Sequence, residues 1–203
     1  MNKVETFGRK KCIICHGKLK TVEEIKDFPV FMGTTEASKD LDLFSDMVFS
    51  TCINCNTTQL QSLIPLEILY KDGHNNSIGK IWQQHHLQFS NFINKTAFGD
   101  VIEIGGASLT LAKHLEKNDN IDSITVFDTN LSYYQAEKTE KIILKEKFFD
   151  ENSVSKKPNA IIHSHVIEHL YNPMEEIMKM SNILDDGGHM FISAPLVDAM
   201  LKD

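Results

Sequence analysis

The sequence has no run of 18 apolar residues, which excludes a membrane-spanning helix of ordinary length. Its opening, MNKVETFGRKKC, lacks the apolar centre of a secretory signal. There is no internal repeat, no low-complexity stretch and no heptad seam, so solenoids, linkers and coiled coils are set aside. Basic residues are in deficit: 21 Lys and Arg against 28 Asp and Glu leave a net charge of −7. A protein built to grip phosphate backbones needs a basic face, so nucleic-acid binding is not its expected task. What remains is a chain of 203 residues, 41% hydrophobic and 24% charged. That composition is globular, and a chain this long buries roughly 70% of its unfolded surface without disulfide staples. A soluble cytoplasmic protein is the expectation.

Cysteine is scarce as well, yet its four copies fall into two pairs, Cys12 and Cys15 in CIIC and Cys52 and Cys55 in CINC. Two residues between ligands let one tight turn, a knuckle, present both thiolates to one ion. Two knuckles complete a tetrahedral shell around a structural Zn²⁺ with no open position for water or substrate. Arg9, Lys10 and Lys11 place positive charge beside a centre that carries −2 in total. The competing assignments are two disulfides, which a reducing cytosol disfavours, and a redox dithiol, which needs no second copy. His16 adjoins the first knuckle but is redundant as a fifth ligand.

Three segments are expected: residues 1–69 as the zinc-binding module, 70–97 as a connecting helical segment, and 98–203 as an α/β domain. Within the first, KLKTVEEIKDFPVFMG reads as short alternating strands with a Pro turn, and TTEASKDLDLFSD as a polar loop. Residues 66–97 read as largely helical, with Ile78, Ile81, Trp82, His85, Leu87, Phe89 and Phe92 at three- and four-residue steps. From Phe98 the pattern alternates: strands in FGDVIEIGG, SITVFDT, KIILKEKFF, NAIIHSH and HMFISAP, helices in SLTLAKHLEK, SYYQAEKTE and NPMEEIMKMSNILDD. Such alternation implies right-handed βαβ units and a doubly wound parallel sheet.

The first of these strands ends in Glu103-Ile104-Gly105-Gly106-Ala107-Ser108. Small residues at a strand-to-helix turn let a ligand approach the backbone, though the string is not GxGxxG. Asp128 ends the next strand, placed to take both ribose hydroxyls of a nucleoside, or else both carboxylates merely cap loops. Ser164-His165-Val166-Ile167-Glu168-His169 follows the fourth strand, at the edge where open α/β sheets bind ligands. HVIEH is not HExxH, so a metalloprotease centre is not expected there.

The strings VIEIGGASLTLA, VFDTN, HVIEHLYNP and LDDGGHMFISAP together resemble the class I S-adenosylmethionine-dependent methyltransferases, with their Rossmann-like sheet. More narrowly, the two CxxC pairs followed by YKDGHNNSIGKIWQQHHLQF resemble zinc-containing methyltransferases of the deoxysugar C-methyltransferase type, enzymes of bacterial nucleotide-sugar and glycan pathways. The glycine loop departs from the family's E-x-G-x-G-x-G, with Ala107 and Leu109 where later glycines would stand. The resemblance implies that Glu103, Gly105, Gly106, Ala107 and Ser108 lie against the methionine part of the cofactor, and Asp128 and Thr129 against its ribose. It places Phe148 and Phe149 at the adenine, although one of them can equally be core. His165 would approach the cofactor, and Tyr70, His74, Asn75, Ser77 and Gly79 would cover it.

The sulfonium carries the driving force, so such an enzyme mainly aligns methyl and nucleophile. An acceptor that must lose a proton needs a base. His165 and His169 are the first candidates, with Tyr70 and His74 behind them, while His85 and His86 read as packing or surface. S-adenosylhomocysteine is then the product and a small nucleotide-linked or phosphorylated molecule the acceptor. O- or N-methylation of a capsule precursor fits the same parts, as does a non-catalytic zinc- and nucleoside-binding module. A monomer or weak homodimer is expected. The family's sheet usually ends with one more helix and a two-strand hairpin, so the domain is expected to be short at its carboxyl end.

Overall fold

A computed structural model of the chain describes residues 2–31, 38–71 and 79–196. The chain divides into two compact units, Met1–His74 and Asn75–Asp203.

The first unit is built on strands β1 (Asn2–Lys3), β2 (Phe7–Gly8), β3 (Leu19–Pro29), β4 (Leu43–Cys52), β5 (Thr58–Leu60) and β6 (Ser62–Leu63), and helix α1 (Leu66–Leu69). Strand β4 pairs with β3 on one side and with β1 and β5 on the other, and β2 pairs with β6. The short strands expected in KLKTVEEIKDFP are one continuous β3, because β4 offers it a partner throughout, from Leu19↔Cys52 to Pro29↔Phe44. Register shifts after Thr21 and Ile25 and a left-handed Asp27 (φ 50°) absorb the mismatch. LFSD, expected in a loop, is instead the start of β4, drawn into the sheet by Phe28 and Pro29. β3 is an edge strand, and its Lys20, Glu23, Glu24 and Lys26 guard that edge against pairing with another chain.

In the second unit, helix α2 (Lys80–Ile93) precedes the parallel strands β7 (Gly99–Ile104), β8 (Ile121–Asp128), β9 (Ile142–Glu146), β10 (Ala160–Ser164) and β11 (His189–Ser193). Helices α3 (Thr110–Leu115) and α4 (Pro173–Ile183) complete it, with SYYQAE and IEH forming 3₁₀ turns. The sheet order is β11-β10-β7-β8-β9, the doubly wound arrangement expected. Both faces are covered, as parallel strands of continuous apolar sequence require. Val101, Ile124, Val126 and Ile162 pack with Ile93 of α2 and Leu111, Ala112 and Leu115 of α3, and Ile102, Ile104, Phe127 and Ile161 pack with Met180 of α4.

The segment expected to be largely helical is seen as the short α1 within PLEILY and the longer α2, with residues 72–78 outside the described residues. Of the apolar residues spaced along α2, Ile81 is 85% exposed and Phe92 57%, while His86, Ser90 and Ile93 are buried. A 3.6-residue period through Trp82, His86, Phe89 and Ile93 decides this, and Ile81, Leu87 and Phe92 fall off that stripe.

His163 of β10 is fully buried between Ile104 and Ile192 in register, with neither ring nitrogen hydrogen-bonded. Burial holds its pKa below the ordinary imidazole value, against a weaker upward pull from Glu168. The unfolded chain takes up a proton there below about pH 6.5 and the native one resists it. This stabilising difference is complete above that pH and is lost as pH falls. His163→Phe is therefore expected to flatten the acid limb of stability and to raise stability at about pH 5 by roughly 1–2 kcal/mol, read by urea unfolding at pH 5 and 7.

Candidate active site and metal centre

The order of strands reverses between β7 and β10, and the crevice at their carboxyl ends is where open α/β sheets bind ligands. The loop leaving β7 is shaped for close approach. Gly105 has φ +76°, and a methyl group there would sit 2.5 Å from Val166 Cγ2. A methyl group on Gly106 would lie 2.7 Å from the Glu103 carboxyl carbon and from Val126 Cγ1. Leu109 adopts φ 53°, a conformation glycine takes freely, and its fully buried side chain compensates for the strain.

Glu103 points from β7 beneath this loop and is 5% exposed. The Ala112 N–H in the first turn of α3 works weakly against the upward shift of this carboxyl group, and Oε2 has no partner. Burial, reinforced by the charge of Asp128, pushes its pKa up to about 8. Parallel pairing of Ile104 with Phe127 brings Asp128 level with Gly105, whose N–H donates to Phe127 O at 2.8 Å. Asp128 accepts the Asn130 N–H at 2.9 Å. Burial raises its pKa, and the N–H groups of Asn130, Ala107 and Thr129 oppose that rise. Asp128 thus braces the turn that follows β8. Thr129 Oγ1 accepts Asn130 Nδ2 at 3.0 Å, and Ser108 Oγ accepts the Thr110 N–H at 3.5 Å.

The two phenylalanines after β9 separate. Phe149 packs edge-on against buried Phe127, with ring centroids 5.4 Å apart, whereas Phe148 is 49% exposed. Phe149 is therefore part of the core, and Phe148 is the aromatic side chain presented outward.

At the end of β10, His165 has φ 55°, and its N–H donates to Ser193 O at 2.8 Å. Its Nδ1 lies 3.5 Å from Glu168 Oε1. Two residues of α2 reach the same place: Trp82 meets the His165 ring edge-on at 4.9 Å, and His85 meets it at 5.2 Å. His85 Nε2 and Ser164 Oγ share a 2.8 Å hydrogen bond. Burial and then the His165 charge lower the His85 pKa, and burial drives buried His86 down to about 4. Sequence reasoning left His85 as packing or surface and passed over Trp82 as a site residue. The Trp82–His85 spacing of three was the available signal. His169 is exposed in the 3₁₀ turn. Tyr70 ends α1 in the first unit, and Gly79 (φ +113°) precedes α2. His74, Asn75 and Ser77 lie outside the described residues.

In the first unit, the four cysteine Sγ atoms lie within 4.8 Å of one another. Cys12–Cys55 is 3.6 Å, and Cys15 lies 3.4 Å from both Cys52 and Cys55. All are free thiols, far beyond the roughly 2.05 Å of a disulfide. A tetrahedral ion with Zn–S bonds of about 2.3 Å sets its sulfurs about 3.8 Å apart, close to what is seen. The knuckles match each other. Cys12 N–H donates to Gly17 O and Cys52 N–H to Thr57 O, both at 2.9 Å, and His16 (φ 57°) and Asn56 (φ 59°) turn left-handed at equivalent places. Ile14 and Asn54 donate N–H to the sulfurs of Cys12 and Cys52, each at 3.4 Å. Gln59 Oε1 braces the first knuckle by accepting the Ile13 N–H at 3.0 Å.

The second unit is thus a Rossmann-like α/β domain of the methyltransferase kind, with a small-residue loop, an acidic second-strand end and a histidine at the switch point. The profile of the methyltransferase domain family matches residues 78–202, more than half of the chain. The chain belongs to that family. No curated protein sequence matches it. Solved structures similar to it include the N-methyltransferase NodS from Bradyrhizobium japonicum WM9 in complex with S-adenosyl-L-homocysteine. The identity is 19% over 56% of this chain and 62% of that one, with a TM-score of 0.46. An O-methyltransferase family protein from Burkholderia thailandensis is 16% identical over 55% of this chain and 37% of that one, with a TM-score of 0.46. Coclaurine N-methyltransferase bound to N-methylheliamine and S-adenosylhomocysteine is 18% identical over 63% of this chain and 44% of that one, with a TM-score of 0.47. The chain spans about half the length of such structures, 54% and 62% for two of them. Among the described residues no helix is long and apolar enough to cross a membrane.

Proposed function

We propose that the chain is an S-adenosylmethionine-dependent methyltransferase whose methyl donor lies across the carboxyl ends of β7, β8 and β10. The observation that carries this reading is Glu103: a carboxylate buried beneath two glycines whose side-chain space is closed, with one oxygen left unpartnered. Such a group asks for a polar or cationic ligand, and a sulfonium amino acid supplies one. Asp128 would hold the ribose, and exposed Phe148 would flank the base. When bound, the cofactor supplies an electrophilic methyl group. The chain's own residues orient it and exclude water, and His165, facing Glu168, takes the proton that the acceptor loses.

The acceptor we propose is a small nucleotide-linked or phosphorylated sugar or glycan precursor, in keeping with the net charge of −7, which disfavours nucleic acid. The four thiolates would hold a structural zinc, since their donor set and spacing suit it and leave no open position. A reducing cytoplasm suits free thiols, and the working form is a monomer or weak homodimer.

Calorimetric titration with S-adenosylmethionine and S-adenosylhomocysteine tests the donor site. Binding is expected for the intact chain, weakened at least about tenfold in Asp128→Asn, which loses a charge-assisted acceptor worth roughly 1.5–3 kcal/mol. Equal affinity in the variant would remove the ribose assignment, and no binding to the intact chain would remove the function. Transfer of labelled methyl to a nucleotide sugar, against a panel of non-sugar phosphates, tests the acceptor.

A further inference from the structure

We propose that His85 is the positioning residue for the His165 imidazole, acting from α2 through Ser164. The inference rests on the reading of His165 as the group nearest the chemistry, and it assigns to His85 a part that its sequence context does not suggest.

Three observations converge on it. His85 and Ser164 are 79 positions apart, yet Nε2 and Oγ share a 2.8 Å hydrogen bond. Ser164 is the last residue of β10 and His165 the next, so this bond fixes the backbone at the point where the chain leaves the sheet. There the chain turns into a left-handed conformation, φ 55°, uncommon for a residue with a side chain. Such strain persists only where surrounding contacts over-determine it, and it gathers at functional sites. Here the contacts are the His165 N–H to Ser193 O on one side and the His85–Ser164 bond on the other.

The rings complete the clamp. His165 is met edge-on by Trp82 and His85, at interplanar angles of 75° in both cases, and His85 is itself stacked on Phe89 at 21°. Held between two faces from α2, the imidazole turns Nδ1 toward Glu168, 3.5 Å away. A carboxylate on that side of the ring, at ion-pair distance, electrostatically favours the tautomer with hydrogen on Nδ1 and leaves Nε2 as the lone-pair nitrogen. That is the form a proton acceptor requires. Glu168 selects the tautomer and His85 holds the ring where the carboxylate can do so.

The test uses the whole 203-residue chain and reads the ring. Nitrogen-15 histidine spectra at about pH 7.5, assigned with a His165→Asn variant, are expected to show His165 as a single tautomer with hydrogen on Nδ1. His85→Phe keeps the stack on Phe89 and removes the bond to Ser164, and should leave the His165 signals at positions of mixed tautomers. His85→Gln, whose amide reaches as far as Nε2, should restore the single form. Ser164→Ala removes the other end of the bond without adding bulk, and should reproduce the His85→Phe result even if that variant fails to fold. Trp82 is the single tryptophan of the chain, so its fluorescence gives a second reading of the same ring contact. Unchanged His165 signals in Ser164→Ala, or in folded His85→Phe, would overturn the proposal. Titration with S-adenosylmethionine on the same samples keeps the two readings apart: failure to bind overturns the proposed function, while the tautomer result answers for His85 alone.

Discussion

Stripping the proposed zinc from the four-cysteine cluster is expected to unfold the first unit and leave the second folded. The reason is how little else the first unit buries. Among its described residues the buried hydrophobic side chains are Cys12, Cys52 and Leu63, two of them the proposed ligands, whereas the second unit has two clusters covering both faces of its sheet. A unit without a core cannot offset the conformational entropy of ordering some seventy residues, so metal-binding free energy must serve as its folding free energy. Structural zinc in small domains provides about 10–16 kcal/mol of apparent binding free energy near neutral pH, more than any other contact here could replace. A strong chelator, or Cys52→Ser, should collapse the dispersed amide signals of β3 and β4 while those of β7 to β11 persist. Elemental analysis should find one zinc per chain before treatment. A chain with no zinc whose β3–β4 signals are nevertheless dispersed would defeat the assignment.

Glu103→Gln is expected to stabilise the free second unit and to weaken its ligand site. With the native pKa near 8 and an unfolded value near 4.5, the native state holds a proton that the unfolded state has released across that interval. Stability therefore falls as pH rises from about 4.5 to about 8 and stays at the lower level above it. Glutamine keeps an acceptor for the Ala112 N–H and carries no charge to bury. At pH 8.5 the variant should be more stable by roughly 3 kcal/mol, with no difference near pH 4, measured by urea unfolding at both values. The same variant should bind S-adenosylmethionine at least about tenfold more weakly, because a cationic ligand group loses its carboxylate partner. In the native protein, cofactor binding at pH 7 should release a proton, seen as buffer-dependent heat. An unaltered pH slope in Glu103→Gln would show that this carboxyl group is ionised in the free protein.

Much of this was legible from local pattern. Strands β7, β8 and β10 are apolar runs because a parallel strand covered on both faces has no polar side to show. The knuckles need only four residues each, so their chemistry is written in spacing. Gly105 and Gly106 can be picked out as small residues, and the structure adds that Val166, Glu103 and Val126 close the space around them. The reading failed where the answer depended on a partner far along the chain. KLKTVEEIKDFP looked like broken short strands because its continuous partner lies some twenty residues on. The buried face of α2 is not legible in sequence because Ile81 and Phe92 are as apolar as core residues, and only packing reveals that polar His86 and Ser90 go inward instead.

By itself the sequence determined the class of fold, the pairing of the four cysteines in two CxxC strings and the order of loop, acid and histidine along the sheet, since each follows from short-range periodicity or spacing. The tertiary structure decided how those residues are buried, paired and oriented. It assigned Phe149 to the core and Phe148 outward, left Glu103 buried with an unpartnered oxygen, and joined His85 to Ser164 across 79 positions. Burial, and with it the charge state of a carboxyl or imidazole group, is set by neighbours that only the folded chain brings together.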